Sequence, residues 1–455
     1  MILQSINPAT DEIIYEYKEH QWEEVNSALD QAVEAQKAWM KVSAANRAAV
    51  LLNIAAILRE RQEGLAFLIS IEMGKVIGEA HAEIEKCAKV CEYYANQGYS
   101  FIQPKPVETD ASESYVVYKP LGTVLAIMPW NFPFWQLFRC AAPALMAGNS
   151  VVLKHASNVS GCAMAIQDVI NQAGIIPGLF KTLLLSSKKV DKLISDKRIK
   201  AISLTGSTAT GKSVALQAAH YLKKCVLELG GSDPYIILAD ADLEQAVEAC
   251  VKGRLINAGQ SCIAAKRFII EEPIYQRFEE LFVAHMRNQK MGDPFDPATQ
   301  YGPLARNNIR EDLQRQVSNS ISKGARLLLG GVIPEGPGAY YPTTVLANVT
   351  PGMPAYNEEL FGPVAALIKV RDAKEAIKVA NDTSFGLGAA IFSTNIDQAK
   401  ALAEDHLECG CCFINEFVRS DPRLPFGGIK ESGIGRELSL YGLLEFVNIK
   451  TIYVK

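Results

Sequence analysis

The chain has 455 residues, too many for one ordinary core and enough for about three domains. Hydrophobic residues make up 49% and charged residues 21%, and 46 basic against 50 acidic side chains leave a formal charge of −4. That is a soluble globular balance, and it offers no electrostatic footprint for nucleic acid or an anionic membrane.

The N-terminal MILQSINPATDEIIYEY lacks the basic-then-apolar order of a secretory signal, and no apolar run is long enough to cross a membrane. From residue 22 to 100 apolar positions recur at helical spacing, as in AAVLLNIAAILRERQEGLAFLISIEMGK. ESYVVYKPLG (113–122) then alternates like an exposed strand. TVLAIMPW, SVVLKHAS, KTLLLSS, AISLTGS and YIILAD follow as short apolar runs ending in turns, most of them separated by helical stretches. A second set, KRFIIEE, RLLLGG, AALIKV, GAAIFST and CCFINE, repeats the pattern. Buried strands alternating with helices imply doubly wound parallel sheets, here two α/β units with a cleft between them. The last segment, EFVNIKTIYVK, reads as a strand available to another subunit.

Ten cysteines are dispersed without the paired spacing of a zinc site, and the six histidines form no HExxH frame, so no metal is expected. Most of the thiols read as buried and reduced, which fits a cytoplasmic protein.

Gly206-Ser-Thr-Ala-Thr-Gly211-Lys212-Ser213 satisfies the phosphate-cradling GxxxxGK[ST] pattern and lies between a strand and a helix. Asp240, closing YIILAD, would supply a magnesium-binding carboxylate if the chain were a P-loop ATPase. The same residues also suit a tight structural turn, or a dinucleotide turn that presents a helix N-terminus to a pyrophosphate. Elsewhere, Cys262 in GQSC and Glu228 in ELGG make chemical sense together: a thiol attacks a carbonyl and a carboxylate later deprotonates water. The glycine-rich approach to Cys262 is expected to bring backbone N–H groups to the sulfur and lower its pKa. In Pro129-Trp-Asn-Phe-Pro133 two prolines fix a turn, and the held Asn131 amide suits an oxyanion hole.

In order, PWNFP (129–133), LKHAS (153–157), TGSTATG (205–211), ELGG (228–231), GQSC (259–262), EELFGP (358–363) and PFGGIKESGIGRE (425–437) resemble the aldehyde dehydrogenase superfamily. The likeness runs from INPAT (6–10) to the last strand. It makes the P-loop match a coincidence within the family's cofactor turn. The resemblance implies a Rossmann-like cofactor domain over 1–107 and 121–230 and an α/β catalytic domain over 231–435. It also implies a small β oligomerisation element over 108–120 and 436–455, in a homodimer or homotetramer.

It further implies that Cys262 attacks the aldehyde, that Asn131 and the Cys262 N–H hold the oxyanion, that the thiohemiacetal is oxidised by a nicotinamide cofactor, and that Glu228 activates water against the thioester. Cofactor contacts by resemblance are Pro129, Trp130, Lys154, Ser157, the turn residues Gly206, Ser207 and Gly211, and Leu229. Glu359 matches the carboxylate on the nicotinamide ribose and Phe361 the ring beside the nicotinamide. The chain departs from the family at His155, where Lys-Pro is usual, and at Ser157, where many NAD-preferring members carry Glu. A hydroxyl there does not repel a 2′-phosphate, so NADP is expected at least beside NAD.

Arg139 lies eight residues beyond Asn131, about two helical turns, and can share its substrate-facing side. Arginine there suits a substrate with a distal carboxylate, and members acting on succinic semialdehyde carry it. KHASN, LKKCVLELGGSDP and SDPRLPFGG resemble the bacterial succinic semialdehyde branch. Ser420 is expected to add a polar contact and Trp135 to wall the tunnel. Alternatives are another semialdehyde such as glutaric, a CoA-acylating dehydrogenase, which typically lacks the Glu228 equivalent, and a catalytically silent homologue.

Overall fold

A computed structural model describes residues 2–455. The chain opens with an antiparallel hairpin, Ile2–Ile6 against Ile13–Lys18, and continues into four helices, Trp22–Trp39, Ala44–Glu60, Gln62–Met73 and Ile77–Phe101. Their ends carry the expected signals. The Gln21 N–H donates to Glu24 at 2.7 Å, Ser43 accepts from the Asn46 N–H, and the third helix stops at Gly74 in the left-handed region. Ala80, Ile84, Cys87, Ala88 and Cys91 bury one face of the fourth helix, so Cys87 and Cys91 are packing residues. All ten cysteines are free.

Two larger sheets carry the architecture. One has six strands in the order Gly433–Ile434, Lys224–Glu228, Ile199–Thr205, Thr123–Met128, Ser150–His155 and Phe180–Thr182; all but the first pair in parallel. The strands Thr123–Met128 and Ser150–His155 are buried at every position, because helices cover both faces of a parallel sheet. The other has seven strands between Asp233 and Ile414, with Arg326–Leu329 as its antiparallel edge. Thr123–Met128 lies between Ser150–His155 and Ile199–Thr205, so the connections leaving its neighbours diverge. That switch point opens a crevice beyond the carboxyl ends of these strands, where PWNFP, HAS and GSTATG are placed together.

The third sheet pairs the tail strand Val447–Val454 with Glu113–Pro120 over its full length, with Lys105–Pro106 beyond. Within this chain the tail strand therefore already has a partner on one side, while its other edge is the sheet's margin, with Ile449 and Tyr453 exposed. The sequence reading missed six strands: the first hairpin's two, Lys105–Pro106, Lys224–Glu228, Thr344–Ala347 and Gly433–Ile434. Gly433–Ile434 returns to pair with Lys224–Glu228 in the six-stranded sheet.

Candidate active site

The PWNFP turn is held from below by the long helix Ile77–Phe101. Glu83 accepts the Phe134 and Trp135 N–H groups at 2.9 and 3.0 Å, capping the helix Trp135–Ala147, and pairs with the buried Lys75. One turn earlier Glu79 accepts the Asn257 N–H at 3.0–3.1 Å. Asn257 in turn donates its side-chain amide to the Asn131 carbonyl at 2.7 Å and the Gln260 carbonyl at 3.1 Å. The Asn131 Nδ2 donates to the same Gln260 carbonyl at 3.1 Å, which aims its buried amide toward the segment bearing Cys262. One of its two N–H bonds is used this way, and the second is left for a ligand oxygen.

The approach to Cys262 is strained. Asn257 and Ala258 both have φ 54°, and Gly259 follows at 76°. A Cβ at Gly259 would collide with the Gly362 carbonyl, so this position accepts only glycine. Lys266, fully buried, donates to the Ser261 and Cys262 carbonyls at 2.8 and 2.6 Å and lies 3.5 Å from Glu359. Glu359 also accepts the Gly231 N–H at 3.1 Å, so one lysine ties the nucleophile's loop to the EELFGP segment.

The expected lowering of the Cys262 pKa is not what the site shows. Burial pushes the thiol up to about 12, and the positive charges of Arg139 and Lys266 only partly oppose it. Backbone dipoles alone do not offset the loss of water. Glu228 ends the strand Lys224–Glu228, and both its carboxylate oxygens are buried with no hydrogen-bond partner. Burial first, then the buried Glu437 nearby, pushes its pKa well above the usual carboxylate range; Arg139 and Arg436 pull the other way. Both shifts favour the uncharged form of the group concerned. PFGG folds over Glu228, since a Cβ on Gly427 would stand 2.6 Å from Glu228 Oε1.

A cavity of about 420 Å³ joins the sheet ends to Cys262. Pro129, Trp130 and Asn131 form one wall, and Gly206, Ser207 and Leu229 another. Glu359 and Phe361 close it, with the Phe361 ring edge-on to Trp130 at 5.7 Å. Gly211 is a packing requirement, because a Cβ there would overlap the Leu229 side chain. A neighbouring cavity of about 780 Å³ shares Arg306 and Asn308 with the first and contains Ser157 and Lys188. Lys154 is buried at the end of Ser150–His155, and burial lowers its pKa to about 8. His155, where the family has proline, fixes this strand end by other means: its Nε2 bonds the Pro133 carbonyl at 2.9 Å and its Nδ1 accepts the Ala156 N–H. The P-loop alternative loses its parts here. Lys212 reaches outward to Glu431 at 2.6 Å, and Asp240 follows a strand of the other sheet, where it accepts from Ser393, Thr394 and Asn395.

On the other side of Cys262, Arg139 is 2% exposed. Its Nε lies 2.8 Å from Glu437 as an ion pair without hydrogen-bond alignment, its Nη2 likewise has no hydrogen-bond partner, and it stacks over Phe426 at 4.8 Å. Sequence reasoning did not anticipate the Glu437 ion pair, which uses one edge of the guanidinium. Trp135, one turn before Arg139, is buried beneath the Lys86 ammonium, and Ser420 accepts from Lys86 at 2.8 Å. The sequence reading also missed Glu79, Glu83, Lys86, Lys266 and Glu437. Only the spacing of Glu79, Glu83 and Lys86 on one helix face and of Lys266 four residues after Cys262 was visible.

The aldehyde dehydrogenase family model matches residues 2–452. A succinate semialdehyde dehydrogenase [NAD(P)+] of Escherichia coli is 49% identical over 449 residues, 99% of this chain and 97% of that protein. A probable succinate-semialdehyde dehydrogenase [NADP(+)] of Synechocystis is 48% identical over the full length of both. Among solved structures, succinic semialdehyde dehydrogenase from Streptococcus pyogenes in complex with NADP+ superposes with a TM-score of 0.97 at 40% identity, covering 99% of each chain. With the family model spanning residues 2–452 and relatives 48–49% identical over nearly the whole of both chains, the chain belongs to the aldehyde dehydrogenase family.

Proposed function

We propose that this enzyme oxidises succinic semialdehyde to succinate with NADP, or NAD, as the oxidant. The observation that carries the substrate is the buried Arg139. Its charge acts on Cys262, and its Nη2 is desolvated without a partner, a site that a carboxylate at the far end of a short aldehyde would complete. The observation that supports the cofactor is the pair of adjoining cavities, one lined by Cys262, Ser207 and Leu229 and the other by Ser157, with Arg306 and Asn308 common to both. When bound there, the nicotinamide supplies the hydride-accepting chemistry that no side chain can.

The residues then divide the work. The Cys262 thiol gives up its proton to water as its sulfur bonds to the aldehyde carbon, and its own N–H with Asn131 Nδ2 holds the oxygen that gains charge. Glu228 takes a proton from water as it attacks the thioester. Lys154 and Ser157 would hold the adenosine ribose, Glu359 the nicotinamide ribose, and Phe361 with Trp130 the ring. Pro129, Gly206, Ser207, Gly211 and Leu229 shape the pyrophosphate path. Trp135 walls the substrate tunnel and Ser420 adds a polar contact. The cofactor domain is assigned to 1–107 and 121–230, the catalytic domain to 231–435 and the oligomerisation element to 108–120 and 436–455. The open edge of the tail strand supports assembly as a homodimer or homotetramer, and the free thiols support a cytoplasmic setting.

An aldehyde panel tests the substrate. Arg139→Ala should weaken succinic semialdehyde by about 2–3 kcal/mol in kcat/KM, the scale of a charge-assisted hydrogen bond. Because the change also unpairs Glu437, butanal is the control. A loss equal for both aldehydes would show that Arg139 serves the fold and reads no carboxylate.

Cofactor choice is tested at Ser157. The wild type should use NADP at least as well as NAD. Ser157→Glu sets a negative charge within several ångströms of the 2′-phosphate, which in partly screened surroundings costs about 1–4 kcal/mol. NAD should change little, since the new carboxylate accepts from its ribose hydroxyls. An unchanged kcat/KM for NADP in the mutant would place residue 157 away from the 2′ position.

A further inference from the structure

The helix Ile77–Phe101 sends three charged side chains to the site at helical spacing. Glu79 and Glu83 are accounted for as anchors of Asn257 and of the PWNFP turn. Lys86, one turn further, has no such task. It is half-buried, with its ammonium 4.3 Å from the centre of the Trp135 ring and one donor on the Ser420 hydroxyl. Among the described residues no carboxylate stands within ion-pairing distance of it. Glu83 is committed to Lys75, and Asp421 to Arg423 at 2.7 Å.

The charged or titratable groups acting on Lys86 are Glu83 and Cys87 from its own helix, Arg139 from the adjacent helix and Asp421 from the loop before PFGG. Burial and then the like charge of Arg139 depress its pKa to about 8. Lys86 sits over Trp135, which lies one helical turn before Arg139 on the same helix, and the two cations repel each other. Lys86 keeps two of its three donors free of protein partners, and Arg139 keeps Nη2. An anion seated between them would relieve the repulsion and fill both sets of donors.

We propose that Lys86 is a second cationic contact for the distal carboxylate of the substrate, a specificity-determining residue that shares this group with Arg139. The inference rests on the semialdehyde reading above. The ammonium supplies a movable point charge where Arg139, held by Glu437 and Phe426, supplies a fixed edge. Its depressed pKa adds a consequence with a definite sign. Only the protonated lysine attracts a carboxylate, so selectivity for the semialdehyde over an uncharged aldehyde falls as pH rises through about 8.

The test is steady-state kinetics of wild type, Lys86→Met and Lys86→Arg with succinic semialdehyde and butanal between pH 7 and 9. Methionine keeps an apolar stem over Trp135 and removes the charge. Lys86→Met is expected to raise KM for the semialdehyde by about 10- to 100-fold at pH 7, with a much smaller change in kcat and in KM for butanal. Lys86→Arg should restore most of the loss. The decline in selectivity with pH should be present in wild type and absent in Lys86→Met. If both substrates lose equally in Lys86→Met, or neither does, Lys86 only tethers the Ser420 loop and the proposal is overturned. A wild type that does not favour the semialdehyde over butanal would instead remove the substrate reading on which it stands.

Discussion

Cys262→Ala should lower NADPH formation by roughly 10⁴-fold or more, the scale on which removing a covalent nucleophile acts, while cofactor affinity stays nearly intact. The separation is expected because Cys262 is one of many residues lining the cavity, which Ser207 and Leu229 also line, while Ser157 lines the adjoining one. The fold should survive the change, since the loop is held by backbone contacts: Lys266 donates to the Ser261 and Cys262 carbonyls, and Asn257 to that of Gln260. Fluorescence titration with NADP beside a turnover assay reads both halves. Alkylation of the wild type adds a check on the resting state. With the thiol pushed up to about 12 by burial, inactivation by iodoacetamide should be slow at neutral pH and accelerate steadily as pH rises, because only the thiolate reacts. If another cysteine variant were inactive and Cys262→Ala active, the assignment of the nucleophile would be wrong.

Most of the architecture was legible because its signals are local. Apolar runs such as TVLAIM and SVVL announce strands by composition, and the turns after them fix where the crevice opens. Lys224–Glu228 escaped notice because it follows a polar turn and reads KCVLE, too short to separate from the helix before it. The candidate site was legible only where its residues sit in compact motifs. Asn131, Glu228 and Cys262 could be named this way, but the residues that hold them could not. Glu79, Glu83 and Lys86 lie on a helix distant in sequence, and nothing local distinguishes them from a solvated charged face. The sign of the Cys262 shift was misjudged for a related reason. Glycines and nearby N–H groups are visible in GQSC, whereas the depth of burial that outweighs them is set by packing across both large sheets. Arg139 shows the same limit: its helical phase pointed to the site, but its partner Glu437 comes from 298 residues away along the chain.

Glu228→Gln should split the reaction into its two halves. Acylation does not need the Glu228 carboxylate, so the variant is expected to release a stoichiometric burst of NADPH, after which steady-state turnover falls by about 10²–10⁴-fold, the usual contribution of a general base. The geometry favours a clean result. Both oxygens of Glu228 are buried and unpartnered, so a glutamine of the same shape breaks no hydrogen bond within the protein. Its pH behaviour follows from the same burial. Desolvation and the neighbouring Glu437 hold the pKa of Glu228 well above the usual carboxylate range, and the base must be ionised to take a proton from water. In wild type the deacylation rate should therefore climb with pH through that raised pKa, and in Glu228→Gln this limb should vanish while the burst amplitude is retained. Glu437 provides a control on the cause. Glu437→Gln removes one of the charges that raise the pKa, so the wild-type limb should shift to lower pH rather than disappear, although the loss of the Arg139 partner also returns an uncompensated positive charge that pushes in the same direction. Rapid-quench or stopped-flow measurement of burst and steady state across pH distinguishes these outcomes. Equal loss of both phases in Glu228→Gln would show that the residue acts before the thioester forms or only supports the fold.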